Sequence, residues 1–222
     1  ARIDLADVRD NGYPVFTDIN KCDVEADVMI DFSSFKAADG VLDYCCERKL
    51  PLVLCTTGLT PEQLEKVNSY SKDVAILRSA NMSLGVNVLL KLLQDAAKVL
   101  AGAGFDMEIV EKHHRLKCDA PSGTALALAD SLNEALDGKY HYVYDRSQVH
   151  QPREDLEIGI SAVRGGTIVG DHDVIFAGPD EVVTFSHRAY SKGVFGKGAV
   201  EAAKFLAGKG AGLYDMQDVI KA

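Results

Sequence analysis

The sequence predicts an α/β protein in two parts: a layer of parallel strands with crossover helices, then an α+β domain with an open mixed sheet. Three observations carry this. Up to residue 83, short apolar runs alternate with helix-length amphipathic segments, the pattern of right-handed βαβ units. After it, three extended runs follow one another with only Gly-Gly and Gly-Pro-Asp between them, which a purely parallel sheet does not allow. A last helical stretch near the C-terminus returns to the first pattern.

In chain order, Ala26–Phe32 reads as a buried strand and Lys36–Lys49 as an amphipathic helix with Val41, Leu42 and Cys45 on one face. Pro51–Cys55 is a second strand. Pro61 opens a helix to about Ser71, with Thr60 as a natural N-cap. Val74–Leu77 is a third strand. Leu84–Ala101 is a long helix, with Val88, Leu89, Leu92, Leu93 and Ala96 at helical spacing. Phe105–Glu111 is a strand, and Ser122–Leu136 a helix. Leu156–Arg164, Thr167–Phe176 and Glu181–Ala189 form an expected antiparallel meander, and Val194–Ala207 a closing helix with a short tail. These readings place one domain at 1–83 and 193–222 and the other at 84–192.

Composition narrows the function. The 222 residues are 47% hydrophobic and 26% charged, ordinary globular values, with no apolar run of membrane-spanning length. The net charge of -9, with no basic stripe, argues against nucleic acid as a partner. Cys22, Cys45, Cys46, Cys55 and Cys118 show no zinc-type spacing, so no metal is expected, and a reducing cytoplasm is the simplest setting.

Against that acidic background, His113, His114, Arg115 and Lys117 fall within five residues and run into Pro121-Ser122-Gly123-Thr124, a helix start. Cationic side chains beside a helix N-terminus suit a small anion, and histidine suits proton transfer near neutrality. Adjacent strand residues point to opposite faces, so the strand is expected to stop near Lys112 if both histidines are to serve one cleft. Three strands of the first part end in small or polar residues, Asp31–Ser34, Cys55–Gly58 and Ser79–Asn81, where ligands of open α/β sheets bind. No GxGxxG is present. Ala1–Asp4 resembles the second strand of a dinucleotide fold, ending on an acid, so one further strand, Gly-rich turn and helix are expected upstream.

The run HHRLKCDAPSGTA from His113 to Ala125 resembles the signature of the dihydrodipicolinate reductase family, roughly HHxxKxDAPSGTA. The resemblance extends to TTG at Thr56–Gly58, SANMSLGVN at Ser79–Asn87 and VRGGTIVGDHDVIFAG at Val163–Gly178. It implies a Rossmann-like dinucleotide-binding domain, a substrate-binding and tetramerisation domain, and reduction of a cyclic dicarboxylate imine with NADH or NADPH in lysine biosynthesis. It further implies His113 as the acid/base residue and Lys117 as the proton donor. His114, Ser122, Gly123, Thr124 and Thr57 would hold the substrate. Asp4, Phe32, Cys55, Thr56, Thr57, Ser79, Ala80, Asn81, Met82 and Lys192 would contact the cofactor. Asp4 followed by Leu5, not a basic residue, points toward NADH.

Departures from the family pattern are Cys55 for Gly, Met82 for an aromatic residue and Lys192 for Arg, the last keeping charge but losing bidentate geometry. His172 and His187 are read as structural or interface residues, and Asp119 as a residue that positions the basic side chains. Two other readings stay open: a different two-domain NAD-dependent oxidoreductase, and a non-catalytic anion-binding relic without a glycine loop.

Overall fold

The computed structural model describes residues 2–3, 12–148 and 150–222. The chain divides into two compact units, Ala1–Ser79 with Ala199–Ala222, and Ala80–Gly198.

The first unit contains strands β1 (Arg2–Ile3), β2 (Val15–Phe16) and β3 (Met29–Asp31), helix α1 (Phe35–Glu47), β4 (Leu52–Leu54), α2 (Pro61–Tyr70) and β5 (Ala75–Arg78). β1 and β2 pair in parallel as a small sheet of their own; the pairing and β2 itself are not legible in the sequence. Leu52, Leu54 and Ile76 bury against Val41, Leu42 and Cys45 of α1 and Val67 of α2. The apolar spacing that predicted α1 is thus the spacing that makes this core. Thr60 caps α2 through a full capping box: its hydroxyl accepts from Gln63 N, and the Gln63 side chain accepts from Thr60 N.

The second unit runs through α3 (Leu84–Leu100), β6 (Asp106–His113), α4 (Gly123–Ala135), β7 (His141–Tyr144), β8 (Glu157–Arg164), β9 (Gly170–Ala177), β10 (Val182–Ala189) and the start of α5 (Gly193–Leu206). Its sheet has the order β10-β9-β6-β8-β7. This corrects the expected meander. β9 and β10 are an antiparallel hairpin, but β8 does not pair with β9; β6 lies between them, parallel to β8 and antiparallel to β9. The reason lies in the core. Met107 and Ile109 of β6 are fully buried under Leu93 of α3 and Leu128 and Leu132 of α4, the position a central strand occupies. The Gly165-Gly166 turn then crosses over the end of β6, with Gly165 N donating to His113 O and Arg115 N donating to Gly166 O. Gly166, at φ +49°, supplies the left-handed backbone. β7, an edge strand, was not expected.

The chain returns to the first unit within α5 and adds β11 (Gly212–Tyr214) and α6 (Met216–Lys221), where a short tail was expected. β11 pairs in parallel with β5, giving a four-stranded parallel sheet in the order β11-β5-β4-β3. α6 is held by a capping box between Asp215 and Asp218.

Candidate active site

Two groups of predicted residues are built on separate units. In the first unit, Asp31 pairs with Leu54, and Leu54 with Arg78, so β3, β4 and β5 end at one sheet edge. Phe32, Cys55, Thr56, Thr57 and Ser79 follow directly from these ends. Asp31 ties the edge together. Its carboxylate accepts from the buried Thr56 hydroxyl at 2.5 Å and from Ser33 N at 3.0 Å, and its carbonyl accepts from Cys55 N at 2.9 Å. Phe32 and Thr57 are exposed, and Gly58 turns the chain at φ +73°. Burial, reinforced by Asp31, pushes the Cys55 thiol up to about 12, so it stays protonated.

A nicotinamide ring fits this edge chemically. It offers backbone N–H and C=O groups, hydroxyls and an exposed phenyl face, and its one carboxylate is already satisfied. Asp4 lies outside the described residues. Ala80, Asn81, Met82 and Lys192 belong to the second unit, with Lys192 exposed just before α5.

The second unit assembles the basic cluster. β6 runs one residue further than expected, to His113. Alternation along the strand therefore turns Glu111 and His113 to the helix-covered face that Met107 and Ile109 share, and both are buried. The conflict foreseen for His113 and His114 is resolved by placing His114 just beyond the strand, half-buried. Lys117 follows in a turn (Lys117 N to His114 O, 3.1 Å), and its ammonium lies 2.8 Å from Asp119. Hydrogen bonding from Lys117 holds the Asp119 carboxyl below its usual range. Asp119 thus has the positioning contact expected of it.

Ser122 caps α4. Its hydroxyl accepts from Ala125 N at 3.1 Å and lies 3.0 Å from His172 Nε2. Burial, then the neighbouring His113, pushes His172 down to about 4, so it is a neutral ring that hydrogen-bonds the Ser122 hydroxyl through Nε2. The next donors, Gly123 N and Thr124 N, open the helix and have no intrahelical partner, an arrangement suited to a carboxylate. Thr124 Oγ1 also accepts from Asn81 Nδ2 at 2.9 Å, which brings one proposed cofactor residue beside one proposed substrate residue.

The sequence reading missed Glu111 and Arg164. The Arg164 guanidinium grips both Glu111 oxygens at 2.7 Å, and Glu111 also lies 2.6 Å from His113 Nδ1. Burial alone would raise the Glu111 carboxyl, but Arg164, His113 and Ser122 N together hold it below its usual range. The signal was present, since Glu111 stands two residues before His113 and a strand puts such residues on one face.

Comparison with known proteins gives the family. The sequence model described as dihydrodipicolinate reductase, N-terminus, matches residues 2–82, and the one described as dihydrodipicolinate reductase, C-terminus, matches residues 85–220. The chain belongs to the dihydrodipicolinate reductase family. It is 56% identical over 209 residues to a 4-hydroxy-tetrahydrodipicolinate reductase of Caldanaerobacter subterraneus, covering 94% of this chain and 82% of that one. It is 48% identical over 216 residues to the Clostridium tetani protein of the same name, covering 97% and 84%. Among solved structures, a dipicolinate-bound dihydrodipicolinate reductase from Paenisporosarcina sp. TG-14 aligns with TM-score 0.74 at 24% identity, over 91% of this chain and 77% of that one, a likeness of fold. The family brings a pyridine nucleotide cofactor and oxidoreductase chemistry. No helix among the described residues is long and apolar enough to cross a membrane.

Proposed function

We propose that this chain reduces 4-hydroxy-tetrahydrodipicolinate to tetrahydrodipicolinate, in lysine and diaminopimelate biosynthesis, using NADH at least as well as NADPH. The observation that carries the reading is the cluster at the start of α4: a buried His113 held by a carboxylate, Lys117 in the adjoining turn, and two unsatisfied helix N–H groups at Gly123 and Thr124. The first unit would hold the cofactor at the ends of β3, β4 and β5, and the second would hold the substrate.

In this mechanism Gly123 N, Thr124 N and Thr124 Oγ1 take one substrate carboxylate, with His114 and the Ser122 cap beside them. When bound, the reduced nicotinamide supplies the hydride. Lys117 carries positive charge to the carbon or nitrogen that becomes electron-rich and delivers the balancing proton. Through the nitrogen that Glu111 does not hold, His113 would take a substrate ring proton and give it to the departing 4-hydroxyl, so that water leaves and the conjugated imine remains to accept the hydride and the Lys117 proton. Asp119 keeps Lys117 oriented in its turn. The resemblance to the family would add the Thr57 hydroxyl to the substrate contacts.

The preference for NADH rests on Asp4 followed by Leu5, an acceptor for ribose hydroxyls with no adjacent cation. A homotetramer would form on the sheet face turned away from α3 and α4, which carries the exposed Val163 and Val182. Five free thiols fit a cytoplasmic setting.

The test is oxidation of NADH and of NADPH by the protein in the presence of freshly made dihydrodipicolinate synthase product. Turnover with dipicolinate as a competitive inhibitor is expected. No oxidation of either cofactor would overturn the assignment.

A further inference from the structure

We propose that Glu111 is the positioning carboxylate of His113, fixing the neutral imidazole with its proton on Nδ1 so that Nε2 is the nitrogen that exchanges protons. The inference deepens the reaction assigned above and rests on it.

The Glu111 carboxylate is fully buried and surrounded by donors: both terminal nitrogens of Arg164 at 2.7 Å, Ser122 N at 2.9 Å and His113 Nδ1 at 2.6 Å. A carboxylate so placed accepts and does not donate, so the 2.6 Å contact requires hydrogen on Nδ1. The lone pair of the neutral ring is then on Nε2. Nothing among the described residues hydrogen-bonds Nε2. Nor is it one of the buried nitrogens left without a partner, which are Arg164 Nε, His172 Nδ1 and His187 Nδ1. Gly170 keeps the approach to Nε2 open: a Cβ at that position would lie 3.0 Å from it. The second ring beside His113 is His172, edge-on at 5.2 Å and neutral, which adds bulk without charge.

Arg164 extends the device. Its Nη2 also donates to Asp119 O at 2.6 Å, in the loop whose Asp119 side chain holds Lys117. One guanidinium therefore links the carboxylate beneath His113 to the turn that presents Lys117. A lysine could not span both, because it lacks the planar fork.

The experiment combines nitrogen-15 NMR of histidine-labelled protein, with His113 resonances identified by their loss in His113→Gln, and steady-state kinetics of Glu111→Gln. Wild type should show His113 as the Nδ1–H tautomer when neutral. Glu111→Gln presents an amide that can donate as well as accept. It should lose that fixed tautomer and lower kcat by roughly 10²-fold, with substrate KM and cofactor affinity changed by no more than about threefold. A purely structural role would lower melting temperature and leave turnover per folded molecule and the tautomer unchanged, which overturns the proposal. An Nε2–H tautomer in wild type overturns it without any variant, so a Glu111→Gln protein that fails to fold does not shelter it. Inactive wild-type protein that still shows the Nδ1–H tautomer would overturn the assigned reaction instead, which separates the two failures.

Discussion

Replacing His172 with glutamine should make the protein less sensitive to acid. His172 is 4% exposed, hydrogen-bonds the Ser122 hydroxyl through Nε2, and has its Nδ1 buried without a partner. Burial first, then the nearby His113 and His187, push it down from 6.5 to about 4, with Glu111 and Asp171 pulling weakly the other way. The folded value is depressed, so the sign follows directly. Above about pH 6.5 the ring is neutral in both states and costs nothing. Below it the unfolded chain takes up a proton that the folded protein refuses until about pH 4, and stability falls across that window. The gap of 6.5 minus 4 corresponds to about 3 kcal/mol, an upper figure because the neighbouring groups titrate too. Glutamine can still hydrogen-bond Ser122 but does not titrate. Urea unfolding of the two proteins, followed at pH 7, 6, 5 and 4, isolates the effect because most other titrations cancel in the difference. At pH 7 wild type should be more stable, by about 1 kcal/mol for the ring's packing and hydrogen bond. The gap should close or reverse by pH 4, a relative midpoint shift of about 1–2 M urea. Parallel pH dependences would refute the argument that His172 is a neutral buried base.

His113→Gln and Lys117→Met should each lower kcat by about 10²-fold with little change in cofactor affinity, and His114→Gln should mainly raise substrate KM; turnover per folded molecule read beside melting temperature checks all three. Isothermal titration with each cofactor should show NADH binding at least as tightly as NADPH, and a tenfold preference for NADPH, about 1.4 kcal/mol, would show that Arg2 or Arg9 outweighs Asp4. Gly198→Ala should lower the melting temperature by roughly 2–10 °C, because its Cβ would sit 1.7 Å from the Met82 carbonyl oxygen and backbone must move. Gly196→Ala in the same helix meets nothing within 4 Å and should be neutral or stabilising.

Local chemistry was legible in the sequence wherever one residue type answers one backbone need. Thr60 and Ser122 cap the helices they were expected to cap or open, and the apolar spacing of α1 marks the face it buries; in α3 Leu89 and Leu93 are buried as read, but Val88 and Leu92 are exposed and Val86 and Ala97 complete the buried face. Long-range pairing was not. Nothing in the extended runs 157–164 and 170–177 says that a strand 50 residues earlier separates them, because adjacency in a sheet is decided by which strand buries most apolar surface. β11 and α6 escaped because three residues of strand and six of helix are too short for a periodic signal. At the site, the residues around the α4 start were readable from charge and helix-start chemistry. Arg164 was not, since only the fold brings it from β8 to Glu111.

The strand order also governs when each unit can be finished as the chain leaves the ribosome. β6 gains its first neighbour, β8, once residue 164 has been made and its second, β9, only after residue 177, so until then one edge of the strand that carries Met107 and Ile109 stays open. The second unit, a continuous stretch of 119 residues from Ala80 to Gly198, is complete once Gly198 has been made. The first is not, because β5 still waits for Gly212–Tyr214, which are made after that stretch. The later domain in sequence should therefore fold first, and the earlier one close afterwards on the strand that the finished insert delivers. A stalled chain ending near residue 205 should accordingly protect the middle of the protein from protease and leave its beginning open to cleavage.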